Sequence, residues 1–131
     1  MAAADVVDPE VLEVAWDLEP LVDGEGPAGV DRQLDEADTR ATAFAERYAG
    51  KLSGLDGPGL EEAMRELEAI SELVGKAGSY AHLDFSTDTT DPKRGALIAK
   101  VTERGTAIET KLVFFELEWA ALSDEQADEL L

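Results

Sequence analysis

The chain has 131 residues, 44% of them hydrophobic and 31% charged, which is the composition of one globular domain with enough length to bury a core. Acids outnumber bases 30 to 11, for a formal charge of -19. That balance, with the bases scattered among acids, excludes a phosphate-binding surface for nucleic acid and disfavours an anionic membrane.

Cysteine is absent, so the chain has no disulfide, thiolate nucleophile or thiolate metal site. No stretch approaches the roughly 18 apolar residues that span a membrane. Residues 1–8 are small and acidic, without the basic and apolar regions of a signal peptide, and the expected location is cytoplasmic. The acidity reads first as a solubility device, with affinity for basic peptides or a high-salt habitat as the alternatives.

Residues 1–28 hold three of the five prolines and predict an irregular arm with a short helical turn around Glu10 to Ala15. Val11, Leu12, Trp16, Leu18 and Leu21 are its apolar anchors, and Trp16 is expected to dock on the body. From Val30 the apolar residues Leu34, Ala37, Ala41, Phe44, Tyr48 and Leu52 recur in steps of three and four, one stripe of an α-helix over 30–52. Glycines and Pro58 then break the pattern.

A second helix is predicted from Pro58, a residue suited to a first helical position, with Glu61 and Glu62 near the positive end of the dipole. Its stripe is Leu60, Met64, Leu67, Ile70 or Ser71, Val74, Ala77 and Ala81, fading near Phe85 into a polar turn that begins at Ser86. Asp91 and Pro92 predict the N-cap and first residue of a third helix. Its stripe is Leu97, Val101, Gly105, Ile108, Leu112, Phe115, Trp119 and Leu122. Val113, Phe114 and Leu117 widen the last half, which is expected to be buried on more than one side. Ser123 and Gln126 form a capping-box pattern that opens a further helix from Asp124, cut short at Leu131. No alternating strand pattern appears. The expected fold is all-α: three long antiparallel helices over 29–122, preceded by the arm and followed by the start of a fourth helix over 123–131.

The residues offer little chemistry. The single histidine, His82, cannot build a His-rich zinc site, no HExxH occurs, and it is expected to be partly buried, packing or hydrogen-bonding near the end of the second helix. The segment from Asp84 to Thr89 partly resembles an EF-hand loop, but the sixth position is not glycine and the twelfth is Gly95. Turn and cap chemistry accounts for it better. Glu61, Glu62, Glu66, Glu68 and Glu72 lack the Glu-x-x-His pairs of di-metal bundles, so Glu62 and Glu66 are expected on a solvated face with Arg65 balancing them. Glu116 and Glu118 interrupt an apolar run and either face water or meet an arginine. There is no nucleophile elbow and no phosphate loop, hence no catalytic residue to assign.

Four segments in register nevertheless carry a resemblance: Trp16-Asp17-Leu18-Glu19-Pro20-Leu21, Gly50-Lys51-Leu52, the run from Ser79 to Thr89, and Phe114-Phe115-Glu116-Leu117-Glu118-Trp119. Together they resemble the N-terminal helical region of the oligoendopeptidase F family, within the thimet-oligopeptidase-like zinc metallopeptidases. The resemblance implies a mostly helical enzyme of two lobes around a channel that admits short peptides. It also implies zinc held in a catalytic lobe outside this sequence, so no cofactor belongs to the chain itself. The implied partners are that catalytic lobe of the same full-length chain and short peptide substrates. The implied role of these helices is channel wall, with Tyr80, His82, Phe114, Phe115 and Trp119 as interface or channel candidates. Apolar surface left bare would offer the isolated chain a route to self-association. The alternative is a free-standing helical module that binds a protein or peptide.

Overall fold

The computed structural model describes residues 17–131. Trp16, Val11, Leu12 and the turn expected around Glu10 to Ala15 lie outside the described residues. A 3-10 turn, Glu19–Val22, leads into α1, Pro27–Tyr48. A second 3-10 turn, Leu52–Gly54, precedes α2, Gly57–Thr87, and then follow α3, Pro92–Ala121, and the short α4, Asp124–Leu130. No strand occurs among the described residues. The fold is all-α, with three long helices packed together and a short fourth.

Local chemistry explains each boundary. Pro27 opens α1 because its fixed φ suits a first helical turn, so the helix starts three residues before Val30 and takes two residues from the expected arm. The same helix ends at Tyr48, short of Leu52. Gly50, at φ 75°, turns the chain left-handed, and Leu52 is buried from the 3-10 turn instead. The Asp56 carboxylate accepts from Gly59 N–H at 2.8 Å and caps α2, placing Pro58 second in the helix rather than first. The expected turn at Ser86 comes later. The Ser86 and Thr87 hydroxyls donate to the carbonyls of His82 and Asp84 at 2.9 and 2.6 Å, and the helix runs on to Thr87. Asp91 caps α3 through Lys93 N–H at 2.9 Å. Ser123 and Gln126 complete their reciprocal capping box.

Register between helices is legible in their contacts. Arg47 reaches Glu62 at 3.0 Å and Arg40 reaches Glu66 at 3.8 Å, which is antiparallel pairing of α1 with α2. Lys100 meets Asp31 at 3.0 Å and Arg104 meets Asp35 at 2.7 Å, with Lys111 on Asp38, so α3 runs parallel to α1. Glu62 and Glu66 therefore bind across to α1 and are not balanced by Arg65, which turns to Glu61 at 2.5 Å. Exposed pairs of this kind contribute about 0.2–1 kcal/mol each and serve register more than stability.

Gly78 and Gly105 lie where α2 meets α3, each with room for a methyl group in ordinary contact. A methyl group on Gly78 would lie 3.9 Å from Val101 Cγ1, and one on Gly105 would lie 3.8 Å from Val74 Cγ1. The core is the α1 stripe of Val30, Leu34, Ala37, Ala41, Phe44 and Tyr48, closed by Ile70, Ala77 and Ala81 of α2 and Val101, Ile108 and Phe115 of α3. Ala63 and Tyr80 are buried although the α2 stripe omits them. Met64, which the stripe includes, is half-exposed. Val113 and Leu117 are also exposed, at 47% and 64%, because α1 and α2 meet other faces of α3 and nothing within the described residues covers this one. The expected burial on more than one side is therefore not met within these residues.

The start of α1 is pinned to the preceding turn. Val22 is fully buried, and the Gln33 side chain donates to Leu21 O at 2.6 Å. Gly29 sits so close that a Cβ would stand 2.7 Å from both Val22 Cβ and Val22 O. A backbone oxygen cannot step aside as a flexible side chain can. Gly29→Ala is thus expected to cost about 1–3 kcal/mol of stability in urea unfolding. Gly75→Ala, in open space on α2, is expected to add up to about 1 kcal/mol by removing helix-interior glycine.

Candidate functional site

Two separate regions hold the sequence-derived candidates. Phe115 is buried and Phe114 half-buried, both against Phe44, with ring centroids 5.8 Å apart in each case. Phe44 also packs on Tyr48 at 4.8 Å, so an aromatic cluster joins α1 to the last turns of α3. Trp119 and Phe115 form one wall of a cavity of about 310 Å³ whose other lining residues are Leu60, Met64, Glu116 and Leu131. Tyr80 lies about 24 Å away along α2, taking 1.5 Å per residue from Met64. His82 joins neither region. It is exposed, which corrects the partial burial expected for it, and its carbonyl accepts from the Ser86 hydroxyl at 2.9 Å near the helix end.

At the Tyr80 end, a second cavity of about 520 Å³ is lined by Tyr80, Asp84, Asp91, Arg94 and Lys100 among others. Arg94 organises it. The guanidinium donates to Asp84 O at 3.2 Å and to Thr87 Oγ1, and lies 3.4 Å from the Asp91 carboxylate. Burial, followed by the Asp84 and Glu19 carboxylates, holds the Tyr80 phenol above the ordinary tyrosine range, with Arg94 opposing them. The neighbouring Asp88 carboxylate is pushed below its usual range by the Thr90 hydroxyl and N–H, at 2.6 and 3.0 Å. That pairing closes a local Asp turn over 88–90, the cap chemistry expected there.

Glu118 does something the sequence did not suggest. Its two oxygens accept from Gly50 N–H at 2.9 Å and Leu52 N–H at 3.2 Å, tying the last turns of α3 to the link between α1 and α2. It is half-buried and meets backbone rather than an arginine. The only hint in the sequence is an acid interrupting an apolar run, and nothing local says that its partner is backbone more than 60 residues earlier. Glu116, two residues before it, is exposed beside the Trp119 cavity. Met64, Leu60 and Leu131 complete that cavity and were not among the candidates.

Among the described residues, no group of three or more His, Asp or Glu side chains converges as a metal site would require. Zinc, which the resemblance implies for a full-length enzyme, finds no fitting ligand set here, because the one imidazole stands alone. No catalytic step is assigned to these residues. No described helix is long and apolar enough to cross a membrane. Comparison of the chain with protein-family models, curated proteins and solved structures finds no match.

Two measurements check this geometry. Glu118→Ala leaves two amide N–H groups without their acceptor and is expected to lower stability by about 1–3 kcal/mol in urea unfolding. In an ultraviolet titration, the Tyr80 phenol should ionise later than free tyrosine, and Tyr80→Phe should remove that late step. The sign follows from burial favouring the neutral phenol. Its contribution to stability is complete below the ordinary tyrosine range and is lost as pH climbs through the raised value.

Proposed function

We propose that this chain is the non-catalytic helical region of a zinc-dependent oligoendopeptidase, acting as part of the wall of a channel that admits short peptides. The observation that carries the reading is how the segments behind the resemblance meet. Glu118, from the Phe114 to Trp119 segment, grips Gly50 and Leu52 of the second segment. Leu18 and Leu21, from the first segment, pack against the core that Tyr80 of the third segment joins. All four thus serve as joints of one helical scaffold, as expected of a wall whose work is shape. Leu117, exposed and outside the cavities between α2 and α3, supplies apolar surface that an adjoining catalytic lobe would cover. The implied zinc would reside in that lobe.

A second reading, a free-standing helical module that binds peptides or proteins, is favoured by the apolar cavity beside Trp119. The source gene decides between the two. Its reading frame beyond the codon for Leu131 is expected to encode a HExxH motif, and a stop codon there would overturn the enzyme reading. Purified chain supplied with zinc and a quenched peptide substrate is expected to show no turnover. Chelator-sensitive cleavage by the chain alone would contradict the non-catalytic role.

A further inference from the structure

Helices α2 and α3 form two grooves between them, and α1 fills one. The other is open. It joins the cavity of about 310 Å³ to a neighbouring one of about 390 Å³ through their common residues Phe115 and Glu116. Leu60, Met64, Leu67 and Ser71 form its α2 side, while Leu112, Phe115 and Trp119 form most of its α3 side. From Leu60 to Ser71 the groove runs about 17 Å at the helical rise. That is the length of about five residues of extended peptide.

Charge says what kind of occupant fits. Among the described residues, Glu109 and Glu116 are the charged ones lining the groove, and no lysine or arginine lines it. At its mouth Leu131 follows α4, whose Asp124, Glu125, Asp128 and Glu129 are all exposed. Several cations are held elsewhere. Arg40, Arg47, Lys100, Arg104 and Lys111 pair with acids across the α1 side, and Arg65 is held by Glu61. An apolar floor with an unbalanced acidic rim attracts a ligand that is both apolar and cationic. A second copy of a chain carrying -19 charge is repelled.

We infer that this groove binds short peptides that combine apolar and basic side chains, which makes it the stretch of channel wall that selects substrate. The inference rests on the reading of the chain as channel wall. Apolar side chains enter beside Met64, Phe115 and Trp119, and basic ones meet Glu109 and Glu116.

Calorimetry on the purified chain tests it with three hexapeptides: alternating Phe and Arg, alternating Phe and Glu, and alternating Ser and Arg. The Phe/Arg peptide is expected to bind one to one, and the other two at least about tenfold more weakly. Met64→Glu separates groove docking from bulk attraction to an acidic protein, because it adds an acid while removing apolar floor. Docking predicts a loss of at least about fivefold for the Phe/Arg peptide, whereas simple charge attraction predicts a gain. Glu116→Lys should shift preference from the Phe/Arg peptide towards the Phe/Glu peptide. Met64 and Glu116 are both exposed, and circular dichroism checks that the variants keep their helices. Equal binding of the Ser/Arg peptide, or unchanged binding by Met64→Glu, would overturn the inference. So would a dimer in sedimentation equilibrium that Met64→Glu dissolves, since a second copy would then fill the groove. Binding is read on this chain alone, so its failure is distinct from a downstream reading frame that lacks HExxH.

Discussion

Burial of one face of α1 governs the rest of the molecule. Val30, Leu34, Ala37, Ala41, Phe44 and Tyr48 leave water together, and they can do so only between two other helices. α2 and α3 provide that cleft, meeting where Gly78 faces Val101 and Gly105 faces Val74. Seating α1 in one groove of the α2–α3 pair leaves the second groove bare among the described residues. The exposed apolar surface and the buried core are thus two consequences of one packing choice.

Polar contacts hold this arrangement at its ends, where hydrophobic packing is least directional. At one end Glu118 fixes the link after α1 by accepting from two backbone amides. At the other, Gln33 binds the carbonyl of Leu21, while Arg94 gathers the Asp84 backbone, Thr87 and Asp91. Interhelical ion pairs run between these ends and align α1 with both neighbours. None of these groups is arranged to move a proton or hold a metal. Their common effect is to keep a long, thin assembly of helices rigid, which suits a surface whose value lies in its shape and charge.

The distribution of charge has the same logic. An excess of acid that looks uniform in the sequence is sorted by the fold: Arg40, Arg47, Lys100, Arg104 and Lys111 pair with acids across the α1 side, while Glu109 and Glu116 line the open groove with no cation beside them among its described lining residues. The proposed role as channel wall and the proposed preference for apolar, basic peptides both depend on that sorting.

Most of the fold was legible in the sequence because helix formation is a local matter. Stripes at three- and four-residue spacing, the caps at Asp91 and Ser123 and the glycine break after Tyr48 all act within a few residues of where they are read. The errors at helix ends were small and local too, as when Pro27 opened α1 early and two hydroxyls carried α2 on to Thr87. Of the candidate site, Phe115 and Trp119 are named by the resemblance, while Met64, though on the α2 stripe, and Glu116 are not. Their part depends on which face of α2 meets which face of α3, and a period of 3.6 residues names a face without naming its neighbour. The grip of Glu118 on Gly50 and Leu52, the exposure of His82, Val113 and Leu117, and the turning of Glu62 and Glu66 towards α1 are likewise decided by distant pairings. The sequence by itself determined the helices and one face of each; the tertiary structure decided which faces found partners, because burial and charge pairing are properties of surfaces brought together from far apart in the chain.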